Sequence, residues 1–134
     1  ALLFIMETTQ KKVVIVEDDD HISKVYEIKF AKEGIKTVIA RDGEEGVIVI
    51  TAEKPDMIIL DLMVPKKDGF AVLEEIKKNP ELANIPVIVL SNLGQKVDQE
   101  RALALGANEY LVKVNQPIQE IIDKVKAYLG IQKV

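Results

Sequence analysis

Val13-Val14-Ile15-Val16-Glu17-Asp18-Asp19-Asp20 is a run of four β-branched residues that stops abruptly at four acids. An apolar run of that length, with no alternation to polar residues, is the pattern of a strand covered on both faces, as in a parallel sheet. Similar runs recur outward at Met57 to Leu60 and Pro86 to Leu90, and less uniform strands are predicted at Lys36 to Ala40 and Glu109 to Val112. Helical spacing separates them, over about 20–32, 43–53, 69–78, 95–105 and 117–129. Gly34, Gly106 and Gly130 follow three of these helices, where a left-handed residue ends the turn, and Pro117 opens the last, where its missing N–H costs nothing. The second helix contains Val47-Ile48-Val49-Ile50, whose propensity suits a strand. Asp42-Gly43-Glu44-Glu45 ahead of it reads as a helix start, and a crossover between parallel strands is needed there.

Alternating strands and helices predict an α/β fold: a doubly wound (flavodoxin-like) sheet of five parallel strands in the order 2-1-3-4-5, with five helices on its two faces. The strand order is taken over from known sheets of this class. Residues 11–130 are expected to form the domain, with 1–10 an irregular tail or cloning remnant and 131–134 a C-terminal tail. A chain of 134 residues, 48% hydrophobic, fits one compact core. With 30% charged residues and a net charge of -4, the surface does not favour nucleic-acid backbones. There is no cysteine, which excludes disulfides and thiolate chemistry. The apolar run Ala1 to Met6 is too short for a signal-peptide core, and Lys11 and Lys12 follow it instead of preceding it. No stretch approaches the roughly 20 apolar residues of a membrane span. A cytoplasmic protein is the expectation.

In an open α/β sheet a site belongs at the carboxyl ends of the strands, beside the point where strand order reverses. The first strand ends in Glu17 and Asp18, the third in Asp61, the fourth in Ser91 and the fifth in Lys113. Each has a plain alternative. Asp19 or Asp20 suits a helix cap, with Asp20 preferred, and Asp61 suits a turn before Pro65 and Gly69. Ser91 and Lys113 are ordinary polar residues leaving strands. The combination carries more, because three carboxylates at one strand edge repel one another unless a cation sits among them. Few hard oxygen ligands, with neither histidine nor cysteine, suit Mg2+ and disfavour zinc. A carboxylate nucleophile, a metal, a hydroxyl and an ammonium are what in-line phosphoryl transfer requires.

Val13 to Asp19 resembles the opening of response-regulator receiver domains. Asp61-Leu62-Met63-Val64-Pro65-Lys66-Lys67-Asp68-Gly69 is similar to their phosphoacceptor loop, and Gly106-Ala107-Asn108-Glu109-Tyr110-Leu111-Val112-Lys113 to their approach to the fifth strand's end. The resemblance spans about residues 11–129. It implies a two-component signalling switch, not an enzyme with an external substrate. Asp61 would accept a phosphoryl group from the phosphohistidine of a histidine kinase or phosphotransfer domain. It implies Mg2+ held by Glu17 (through water), Asp18, Asp61 and the backbone carbonyl of Met63. Lys113 would pair with the phosphoryl oxygens. Ser91 would turn toward them, and Tyr110 would move inward with it, although Tyr110 also suits a half-buried strand aromatic. The face made by the fourth helix, fifth strand and fifth helix would then change for a downstream protein or a second copy.

Val114 follows Lys113 where the family has a cis proline. A cis bond at a residue other than proline costs about 3 kcal/mol, so a trans bond is expected. Asn92 follows Ser91 where a small residue is usual, and Met63 and Leu93 are apolar at two positions that influence dephosphorylation in the family. His21, the only histidine, is expected to be an exposed surface residue. A flavodoxin-like electron carrier shares the architecture, but its phosphate would meet the acids Glu17 to Asp20. A receiver that is never phosphorylated is the other alternative, favoured only by Val114 and Asn92.

Overall fold

The computed structural model describes residues 10–131. The expected tails therefore lie almost entirely outside the described residues. The chain runs β1 (Lys12–Val16), α1 (Asp20–Lys32), β2 (Lys36–Ala40), α2 (Gly43–Glu53), β3 (Met57–Leu60), α3 (Gly69–Lys78), β4 (Val87–Ser91), α4 (Lys96–Ala104), β5 (Glu109–Val112) and α5 (Ile118–Leu129), with a short 3-10 turn at Lys113–Asn115. All strand pairs are parallel and the order is β2-β1-β3-β4-β5, as expected.

The two-residue period of a strand divides each central strand between two cores. Val14, Val16, Ile58, Leu60, Val87 and Val89 join Ile50, Leu73, Ile76 and Ala102 of α2, α3 and α4. Val13, Ile15, Met57, Ile59, Ile88 and Leu90 join Tyr26, Phe30, Ile121 and Val125 of α1 and α5 on the other face. β1, β3 and β4 are buried almost throughout, whereas β2 and β5 are half-exposed edges. That difference accounts for the uniformly apolar runs in the three central strands.

The helix ends show where local signals held. Gly34, Gly106 and Gly130 all have positive φ. Asp19, not Asp20, caps α1, accepting from the backbone N–H of His21 and Ile22, and Asp20 instead pairs with Arg41. The cap must have extended backbone, and Asp19 is the last residue that does (ψ 115°). Pro117 is likewise the cap of α5, one position before the helix proper. The β-branched run in α2 is helical because Asp42 caps it through Glu45 N–H and Ile50 is buried.

Candidate functional site

The register puts the site residues side by side. Val16 pairs with Leu60, so Glu17 and Asp61 are the next residues on neighbouring strands. Glu17, Asp61 and Lys113 share the parity of Ile15, Ile59 and Leu111, which face α1 and α5. Glu17, Asp18 and Asp61 each offer a carboxylate oxygen, all within 4.8 Å of one another. Glu17 and Asp61 are buried and Asp18 is exposed.

Lys113 Nζ donates to Asp61 Oδ2 at 2.8 Å and also pairs with Glu17. The cation that the acid cluster demanded is thus supplied in part by the chain itself. Three carboxylates against one ammonium still leave two formal negative charges, which matches a divalent ion, and the exposed side at Asp18 leaves room for water. The donor set is all oxygen, so it fits Mg2+.

Burial pushes the Glu17 carboxyl above the ordinary range, against the opposing hydrogen bond from Lys113. Burial would lower the Lys113 ammonium, but hydrogen bonds to Asp61 and Glu17 outweigh it and raise its pKa. Asp61 Oδ1 accepts from the backbone N–H of Met63 at 3.0 Å, so both Asp61 oxygens are oriented. The expected trans peptides are found; no cis bond occurs among the described residues. With Val114 as its neighbour, and at the start of the 3-10 turn Lys113–Asn115, Lys113 still reaches the pocket.

Ser91 is fully buried at the end of β4, and its Oγ accepts from Leu93 N–H at 3.4 Å. Tyr110 is half-buried, and its hydroxyl donates to the Leu93 carbonyl. One peptide segment therefore joins the two residues singled out for switching. His21 is exposed, as expected, on the rim of an apolar groove with Ile22, Val25, Tyr26 and Ile118.

The sequence reading missed two contributions. Tyr26, buried in α1, has its hydroxyl pushed up to about 12, mainly by burial, with the charge of Lys113 opposing the shift and those of Glu17 and Asp61 adding to it. A tyrosine at helical spacing carries no signal of that. Its raised pKa favours the folded state below pH 10 and that advantage is lost as pH rises toward 12, a loss of about 2–3 kcal/mol. Thermal melts between pH 10 and 12 are expected to show a steep fall in Tm that Tyr26→Phe makes shallower. Equal slopes would remove Tyr26 from the account.

The second is the loop after Asp61. Lys67 N–H donates to Pro65 O at 2.8 Å across Lys66, whose φ is 69°. This is the γ-turn of positive φ, a strained conformation costing on the order of 1–3 kcal/mol for a residue other than glycine. Gly69 closes the loop because any Cβ there would lie 2.5 Å from Leu62 Cα and 2.6 Å from Asp61 O.

A family model described as the response regulator receiver domain matches residues 13–126. The chain is 40% identical over 121 residues to a probable transcriptional regulator ycf27 of Guillardia theta, a match covering 90% of this chain and 46% of that protein. The chain spans about half the length of the curated relatives it matches. Among solved structures, the receiver domain of the Francisella response regulator 1452 is 34% identical with a TM-score of 0.81, covering 89% of this chain and 96% of that one. The phosphorylated cyanobacterial phytochrome response regulator RcpA is 32% identical with a TM-score of 0.79, covering 90% and 94%.

Proposed function

Because this chain belongs to the response regulator receiver domain family, we propose that Asp61 is its phosphoacceptor and that a histidine kinase or phosphotransfer domain is the donor. The observation that carries this is the paired orientation of Asp61, with Lys113 on Oδ2 at 2.8 Å and Met63 N–H on Oδ1 at 3.0 Å, inside a carboxylate cluster suited to a divalent ion. A carboxylate oxygen of Asp61 attacks phosphorus through a remaining lone pair, the P–N bond of the phosphohistidine breaks, and the imidazole leaves with the electron pair and takes up a proton. Glu17, Asp18, Asp61 and the Met63 carbonyl would hold Mg2+, which supplies charge neutralisation for the transferring group. Lys113, already on Asp61, exchanges one of its contacts for a phosphoryl oxygen. Ser91 turns from Leu93 N–H to another oxygen, freeing the segment that Tyr110 also holds. The face of α4, β5 and α5 thereby changes for a downstream protein or a second copy. On this reading the protein is a cytoplasmic signalling switch.

Intact-mass spectrometry after exposure to acetyl phosphate and Mg2+ tests the proposal. One phosphoryl increment is expected, absent when the metal is chelated. An unmodified mass under both conditions would overturn it.

Met63 is exposed and Leu93 half-buried beside the pocket mouth. Neither side chain can orient an attacking water, so the acyl phosphate is expected to be long-lived. Met63→Asn and Leu93→Glu are each expected to shorten its half-life on the order of tenfold, the kind of gain that placing a water or base provides. Unchanged decay of the phosphoprotein would show that these positions do not govern hydrolysis.

A further inference from the structure

The strained turn at Lys66 lies beyond the pocket, and something must hold it. Its carbonyl at Pro65 accepts twice, from Lys67 N–H at 2.8 Å and from the backbone N–H of Gly43 at 3.1 Å. Gly43 is the first residue of α2, and it packs so closely that a Cβ there would stand 1.7 Å from Lys67 O and 2.6 Å from Lys67 C. Asp42, which caps α2, also pairs with Lys66 at 3.5 Å. From the other side Lys67 pairs with Glu75 of α3. The start of α2 is therefore fitted against the loop that carries Met63, whose peptide meets Asp61 two residues from the turn.

We propose that the first residues of α2 and the left-handed turn at Lys66 position the phosphoacceptor loop, so that the turn's shape sets how tightly the carboxylate pocket holds a divalent cation. Lys66 touches neither Asp61 nor the other pocket acids in this arrangement. It acts through the backbone of Leu62 to Pro65, and is a positioning residue. The inference rests on the metal reading of the pocket given above.

The experiment is calorimetric titration of the whole chain with Mn2+, alongside thermal melts. Lys66→Pro forces φ to about -65° and so inverts the turn at an exposed position; its Mn2+ dissociation constant is expected to rise at least about tenfold while the protein still melts cooperatively. Lys66→Gly permits positive φ at no steric cost; it is expected to bind within about twofold of the parent, with Tm unchanged or higher. Gly43→Ala, which drives the loop outward from the other side, is expected to weaken binding like the proline variant. A folded Lys66→Pro protein with parental affinity would overturn the proposal. Loss of affinity in Lys66→Gly equal to that in Lys66→Pro would overturn it too, since charge and not turn shape would then be responsible. If the parent itself takes up no Mn2+, the metal reading fails first.

Discussion

Asp61→Asn is expected to abolish phosphoryl labelling by acetyl phosphate completely while leaving the fold intact. The amide oxygen can still accept from Met63 N–H, so the loop keeps that anchor, while the amide nitrogen takes the place of the oxygen on which Lys113 rests and cannot accept from it. What disappears is the only carboxylate in the pocket whose two oxygens are held by Lys113 and the Met63 peptide. Glu17 is committed to Lys113 and to Asp19 N–H, and Asp18 is exposed at the rim. Removing one charge from a cluster with two formal negative charges in excess also relieves repulsion, so Tm without metal should be equal to or above that of the parent. The stabilisation by Mg2+ should shrink in parallel. In the parent, a hundredfold excess over Kd contributes about 2.7 kcal/mol, on the order of 10 °C in a domain of this size. Labelling that survives the substitution would place the acceptor elsewhere, and an undiminished metal response would remove Asp61 from the ligand set.

Lys113→Ala should have the largest effect on stability. Glu17 is 3% exposed and Asp61 6%, and Lys113 is the single cation the described residues bring to both. Deleting one partner of a buried ionic cluster leaves the others desolvated and uncompensated, which costs about 3–5 kcal/mol. Melts in chelator should show a drop on the order of 10–15 °C. Mg2+ should then recover more in the variant than it adds to the parent, because the ion takes over the neutralisation that the ammonium provided. Phosphorylation should slow even at saturating Mg2+, since the contact to the transferring oxygens is gone. A variant that melts within a few degrees of the parent in chelator, with the same metal increment, would show that Lys113 is not the cluster's counter-charge.

The sequence exposed most of the frame because its signals are local. Uninterrupted apolar runs at 13–16 and 57–60 announce strands buried on both faces, and the acids that end them stop where the core stops. Glu17, Asp18 and Asp61 were legible as a cluster once the strands were known to be parallel, since adjacent parallel strands release their last residues at one edge. The cap of α1 was misplaced by one residue among three consecutive aspartates. Which of them still has extended backbone depends on how β1 leaves the sheet, and neighbouring acids look alike in sequence.

Residue order alone therefore determined the strand and helix alternation, the burial of the central strands and the edge at which the acids gather, all of which follow from hydrophobic period and chain direction. Only the tertiary structure decided that Lys113 lies between Glu17 and Asp61, that Tyr26 feels their charge, and that Gly43 must lack a side chain because the Lys67 carbonyl occupies its space. Those facts join residues far apart in the chain, and the contacts that fix them come into being only when the sheet closes and the loops are pressed against one another.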